Sequence, residues 1–193
     1  PYPVGLLCLQ MGVLYGNDYD YPQALEYIEN ALIHYEKSGK ERLQYIAKRN
    51  IGQCYLNMLQ FPQAEPLLKE VLEWGEAHND SYIISSALDL LLCLYDATAN
   101  AEALDSLIMR YPIDVLPQNA ATYGIIAHYY ALREDKAVAE DALDYAWNIC
   151  IAAEDSIMLW QKSYQVYKAL DSPYDALHSH EQLLAHQDSV IRI

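Results

Sequence analysis

Gly12-Val13-Leu14-Tyr15-Gly16-Asn17-Asp18-Tyr19-Asp20-Tyr21-Pro22-Gln23-Ala24 is answered by Gly52-Gln53-Cys54-Tyr55-Leu56-Asn57-Met58-Leu59-Gln60-Phe61-Pro62-Gln63-Ala64, 40 residues further on. The glycine, tyrosine, proline and alanine of the first stretch all return at the same offset, so the match spans a structural unit. Self-similarity at a period in this range marks a helical array. Each unit is a helix pair that cannot bury its apolar face alone and must stack on its neighbours. The product is a curved surface more often than a catalytic pocket.

Outward from these phrases the apolar residues keep the i, i+3, i+4, i+7 spacing of one helix face. Leu7, Cys8, Met11, Gly12 and Tyr15 read as such a face, with Asn17, Asp18 and Asp20 as the turn after it. Pro22 opens the next helix, where a missing N–H has no helical partner to lose. Ala24, Leu25, Ile28, Ala31, Leu32 and Tyr35 then point inward. Ile51 to Leu72 repeats the pattern, and Pro66, about one turn into the second helix, predicts a local irregularity. A third unit ends at Tyr111–Pro112, because the residue before proline is pushed out of the helical region. In the fifth, Ser172–Pro173–Tyr174–Asp175 reads as a helix start, and His180 takes an inward position. With few glycines and almost no strand-like alternation, the chain reads as all-α. The expected pairs cover 5–38, 45–79, 82–111, 119–152 and 156–187, ten helices in a single array over 1–193.

Composition bounds the function. The 193 residues are 53% hydrophobic, ample for a core, and carry a net charge of −15 from 27 acids and 12 bases. Residues 70–161 hold 16 of the acids and 3 of the bases. That stretch repels phosphate backbones, so no nucleic acid is expected to bind here. Lys37, Lys40, Arg42, Lys48 and Arg49 make a local excess of positive charge, most simply a solvated face. Cys8, Cys54, Cys93 and Cys150 lie far apart in apolar helical runs, without metal or redox spacing, and read as buried thiols. No apolar run is long enough to span a membrane. The chain opens at Pro1 without a methionine or a leader, so it reads as a fragment of a longer protein.

The quoted residues resemble tetratricopeptide repeats. In that family the first helix of each pair carries a small residue and a tyrosine, and the second carries recurring alanines. Tyr15, Tyr55, Tyr95, Tyr130 and Tyr167 hold the tyrosine place, and Ala24, Ala64, Ala103, Ala139 and Ala176 the alanine. The resemblance implies a right-handed superhelix of five pairs, with each tyrosine filling the groove to the next pair. The chain departs from the family at the opening tryptophan, kept only as Trp160, and in its 40-residue step, which implies helices longer by about a turn. A narrower likeness lies in the closing segment Leu183 to Val190. It is similar to the end of the sensor portion of membrane-tethered regulators or sensor kinases in Bacteroidetes. That likeness implies a periplasmic location, and its failure a cytoplasmic one.

No catalytic constellation stands out, and an enzyme, cofactor or metal is not expected. His178 and His180 are two apart and point in different directions on a helix. Asp18 and Asp20 suggest the start of a calcium loop, but Pro22 and Gln23 fall on positions that loop needs. No glycine-rich phosphate loop, H-E-x-x-H or G-x-S-x-G occurs. Aligned with the family, the groove-facing polar residues are Asn17; Arg49, Gln53 and Asn57; Asp89 and Asp96; His128; and Gln161 and Gln165. Arg49, Gln53 and Asn57 step by four along one helix face. They read either as a solvated polar face or as a ladder holding the backbone or carboxylate of an extended peptide. The carboxylate clamp of chaperone-docking members is absent, since Leu9, Val13, Ala121 and Ile125 stand where its polar groups would be.

These readings predict a non-enzymatic module that binds a protein or peptide segment, as the sensor or interaction domain of a larger regulatory protein. The alternative is an architectural spacer or dimerisation module with an empty groove, and a homodimer is left open.

Overall fold

A computed structural model describes the backbone of residues 2–113, 115–150 and 153–191, and the side chains of 2–113, 115–150 and 156–187. The described residues form ten α-helices and no strand: α1 Tyr2–Asn17, α2 Tyr21–Lys37, α3 Glu41–Asn57, α4 Phe61–His78, α5 Ser81–Ala97, α6 Ala101–Arg110, α7 Ala120–Ala131, α8 Lys136–Ile149, α9 Ala153–Ala169 and α10 Pro173–Ile191. The chain divides into two compact units, 1–116 with α1–α6 and 117–193 with α7–α10.

The tyrosine of the repeated phrase closes the turn that follows it. The backbone N–H groups of Asp20, Gln60, Asn100, Asp135 and Ser172 donate to the carbonyls of Tyr15, Tyr55, Tyr95, Tyr130 and Tyr167 at 2.9, 2.8, 2.9, 3.1 and 2.9 Å. Each is the six-to-one closure of a helix C-terminus, which requires a left-handed residue just before the donor. Tyr19, Leu59, Ala99, Glu134 and Asp171 supply it, with φ between 52° and 62°. None is a glycine, so each carries the strain of a Cβ in that region. The donors then start the next helix. Asp20, Asn100 and Asp135 accept the N–H three residues on, as Asp80 and Asn119 do at α5 and α7.

In the first unit the core alternates small and large side chains, so that the helices interdigitate. Ala24, Ile28, Ala31 and Tyr35 of α2 pack against Ala47, Ile51 and Cys54 of α3. Gly12 of α1 lies against Ile28 and Gly52 of α3 against Leu68 of α4, each too close for a side chain. The first helices of successive pairs also touch, α1 with α3 and α3 with α5. In the second unit α7 packs on α8 and α9, and α9 on α10. Gly124 there lies under the stem of Lys162, which is buried.

Several expectations need correcting. Leu7 and Met11 do not share the inward face of Cys8, Gly12 and Tyr15; both are exposed, because nothing described covers that flank of α1. His180 is exposed too, its ring 5.2 Å from that of Tyr164. Only Cys54 of the four cysteines is buried, and the others are half-buried. α4 continues unbroken through Pro66, so no irregularity interrupts it. Tyr95 reaches back to the preceding pair, donating to Glu65 Oε1 at 3.1 Å. Tyr15 stacks on Tyr27 within its own pair, with ring centroids 5.3 Å apart. α6 ends at Arg110 with Tyr111 extended before Pro112, as the sequence implies. The side chains of the closing Asp188-Ser189-Val190 phrase, and residues 151 and 152 at the end of the fourth expected pair, lie outside the described residues.

Candidate functional site

Helix α3 brings Arg49, Gln53 and Asn57 onto one face because they are spaced one helical turn apart. Arg49 Nη1 donates to Gln53 Oε1 at 2.5 Å and to Asn50 Oδ1 at 3.2 Å. Asn50 is in turn fixed by donating from Nδ2 to the Ile46 carbonyl at 2.8 Å. Arg49 Nε is buried with no hydrogen-bond acceptor among the described residues. Burial pushes the guanidinium pKa down, and the charge of Asp89 on α5 opposes that shift. An arginine stays charged under such conditions. The result is a half-buried cation whose Nη1 is held by neutral amide oxygens and whose buried Nε has no acceptor among the described residues.

Asn17, at the end of α1, joins Gln53 and Asn57 around a cleft of about 80 Å³ that Gly12, Ile28 and Cys54 also line. Small-molecule pockets run to roughly 300–1,000 Å³, so this cleft suits one side chain. Asp89 and Asp96 follow on α5, both half-buried. His128 on α7 and Gln161 and Gln165 on α9 belong to the second unit. Gln161 is exposed and His128 half-buried, while Gln165 Oε1 is buried without a donor among the described residues.

Sequence reasoning missed Asn50, although it lies beside Arg49 and orients it. It also missed a cleft of about 480 Å³ beside α4, α5 and α6. Leu72, Leu91 and Leu107 line it, and its charges largely answer one another. Lys69 Nζ is 2.8 Å from Glu65, and Arg110 Nη2 donates to both oxygens of Glu76 at 2.7 and 2.8 Å. Tyr111 Oη also donates to Glu76. Burial and that carboxylate together push the Tyr111 phenol far up. The signal was available in Glu65, Lys69, Glu73 and Glu76, which lie three or four apart along α4. A third cleft, of about 270 Å³, lies among Trp147, Trp160, Ser163, Tyr167 and His178. Trp147 Nε1 donates to Ser163 Oγ there at 3.1 Å.

No group of three or more metal-ligating side chains occurs among the described residues. No described helix is long and apolar enough to cross a membrane. The chain matches no family model and no curated protein sequence.

Proposed function

We propose that this chain is a non-enzymatic interaction module of the tetratricopeptide kind, a right-handed superhelix of five helix pairs that holds an extended protein or peptide segment along its first helices. The observation that carries the reading is the state of Arg49. A half-buried guanidinium whose hydrogen bonds among the described residues go to amide oxygens gains most from an acceptor that carries charge or a carbonyl dipole. Gln53 and Asn57 continue the same face and offer amide groups to a peptide backbone. The small cleft beside Asn17 takes one side chain of that segment.

The excess of acid along 70–161 favours a basic or neutral ligand beyond the Arg49 anchor. A role as the sensor or interaction segment of a larger regulator rests on the sequence likeness of its last residues. Peptides selected by display on this chain, followed by hydrogen exchange with and without the selected peptide, test the groove directly. Slowed exchange in α3 and the end of α1 supports it. Peptides that protect neither, or a library that yields no binder, return the module to an architectural role.

A further inference from the structure

The cleft among α8, α9 and α10 is walled by aromatic rings, those of Trp147, Trp160, Tyr167 and His178. The two indoles lie 4.5 Å apart between centroids and tilt by 53°, and the His178 ring meets Trp160 nearly at a right angle, at 6.0 Å. Rings set at such angles bound a space and do not close into a flat stack. The Trp147 indole N–H already donates to Ser163 Oγ, which itself donates to the Leu159 carbonyl at 2.8 Å, and Ser179 Oγ donates to the Asp175 carbonyl at 2.8 Å. What the lining leaves for a ligand is chiefly aromatic surface and the exposed Asp175 carboxylate.

The repeat supplies a comparison, because the cleft beside α4, α5 and α6 holds the same register. Tyr95 and Tyr167, Glu102 and Asp175, and Ser106 and Ser179 stand at matching positions of the two. The opening therefore belongs to the repeat and not to a helix face left bare. The linings differ in a consistent direction. Trp147 takes the place of Leu72, and Asp144 and Leu183 take the places of Lys69 and Arg110. In the first cleft those two bases answer Glu65 and Glu76. No lysine or arginine lines the second, although Lys136 pairs with Glu140 at 3.6 Å. Burial first, and then the charges of Asp175, Asp144 and Glu140, raise the Tyr167 phenol pKa. The rings thus stand in a negative potential that the chain does not answer with a base of the cleft itself.

We propose that this cleft binds an alkylated ammonium group, either free or carried on a lysine side chain. Such a cation is drawn to the faces of tryptophan and tyrosine by their quadrupoles, and several rings around one space are the arrangement that recognises it. The Asp175 carboxylate at the rim adds a charge that a neutral ligand of the same shape could not use. At about 270 Å³ the cleft falls just short of the roughly 300–1,000 Å³ of sites that take whole small molecules, and suits a head group of this size. The site uses none of Arg49, Gln53 and Asn57, so it stands or falls independently of the peptide groove.

Proton NMR titration of the full 193-residue chain tests this with three probes: choline, the neutral alcohol that has carbon in place of its nitrogen, and the acetylated amide of trimethyllysine. The methyl resonance of choline should move upfield, as it does when methyl groups lie over aromatic rings, and the neutral alcohol should not bind. Trp147→Leu, which installs the residue of the first cleft, should weaken choline binding by about 5- to 30-fold. Asp175→Asn, at an exposed position, should weaken it as well with unchanged circular dichroism, and keeps the test decisive if Trp147→Leu disturbs the fold. Tighter binding of the trimethyllysine amide than of choline assigns the cation to a peptide side chain, and equal or weaker binding assigns it to a free cation. The proposal is overturned if neither cation binds, if the neutral alcohol binds as well as choline, or if choline binding survives both substitutions.

Discussion

Gly52 on α3 and Leu68 on α4 meet so closely that a Cβ on the glycine would lie 2.6 Å from Leu68 Cδ2. Gly12 and Ile28 stand in the same relation one repeat earlier. The glycine of the repeated phrase is therefore a packing device, which sets how near the two helices of a pair can come. Gly52→Leu should overpack the crossing and cost about 1–3 kcal/mol, partly offset by about 0.5–1 kcal/mol of helix propensity. A chemical denaturation midpoint below wild type is expected; one equal or higher would contradict the packing account.

The left-handed turn residues predict a gain. Ala99 and Leu59 sit at φ 52° and 59°, and both are exposed, so their side chains contribute little packing. Relief of the Cβ strain is worth about 1–2 kcal/mol, against about 0.5–1 kcal/mol of added chain entropy for a glycine. Ala99→Gly and Leu59→Gly should each stabilise the fold by about 0.5–1 kcal/mol in thermal or chemical unfolding. Gly39→Ala, at φ 61°, should lose a comparable amount.

Asp80 has two roles that substitution can separate. Its Oδ1 accepts the Ile83 N–H at 3.2 Å as the cap of α5, and its Oδ2 accepts Arg42 Nε at 2.6 Å. Asp80→Ala should cost about 0.5–2 kcal/mol through the lost cap. Asp80→Asn keeps the cap and should cost about 0–1 kcal/mol through the exposed ion pair. The hydrogen bond from Arg42 holds the Asp80 pKa below its ordinary value. The pair's contribution is therefore present above the unfolded carboxylate pKa and lost as pH falls through the folded one. Unfolding free energies of wild type and Asp80→Asn should converge on acidification, and a gap that persists would count against the ion pair.

Burial pushes the Cys54 thiol up to about 11 from an ordinary value of 9.0, with the Arg49 charge opposing. A shift of that size leaves about 100-fold less thiolate at mildly alkaline pH. Cys54 should be the slowest of the four cysteines to alkylate in the folded chain, and should react like the others in denaturant. Because the folded pKa is raised, the associated stability is present below pH 9.0 and lost as pH rises through the folded value. Fast native-state labelling of Cys54 would contradict its packing.

The all-α class was legible because apolar periodicity and turn residues agree along the chain, from Tyr15–Asp20 to Tyr167–Ser172. The turn conformations were less so, since left-handed positions are usually flagged by glycine or asparagine and here fall on Tyr19, Leu59, Ala99, Glu134 and Asp171. The misplaced residues share one cause. Leu7, Met11 and His180 sit at register positions that a neighbouring helix would cover, and periodicity reports a face without saying whether anything lies against it. Of the candidate site, the four-residue step of Arg49, Gln53 and Asn57 was readable. The half-buried setting of Arg49 was not, because it involves Asn50 and the charge of Asp89 on α5.

The groove account turns on Arg49, and titration calorimetry of wild type and Arg49→Ala against a display-selected peptide measures its part directly. Loss of a shielded, charge-assisted hydrogen bond should weaken binding by about 1.5–3 kcal/mol. The loss of an exposed surface charge would change it by only about 0–1 kcal/mol. A peptide that binds both proteins equally would contradict the assignment of α3 as the ligand face.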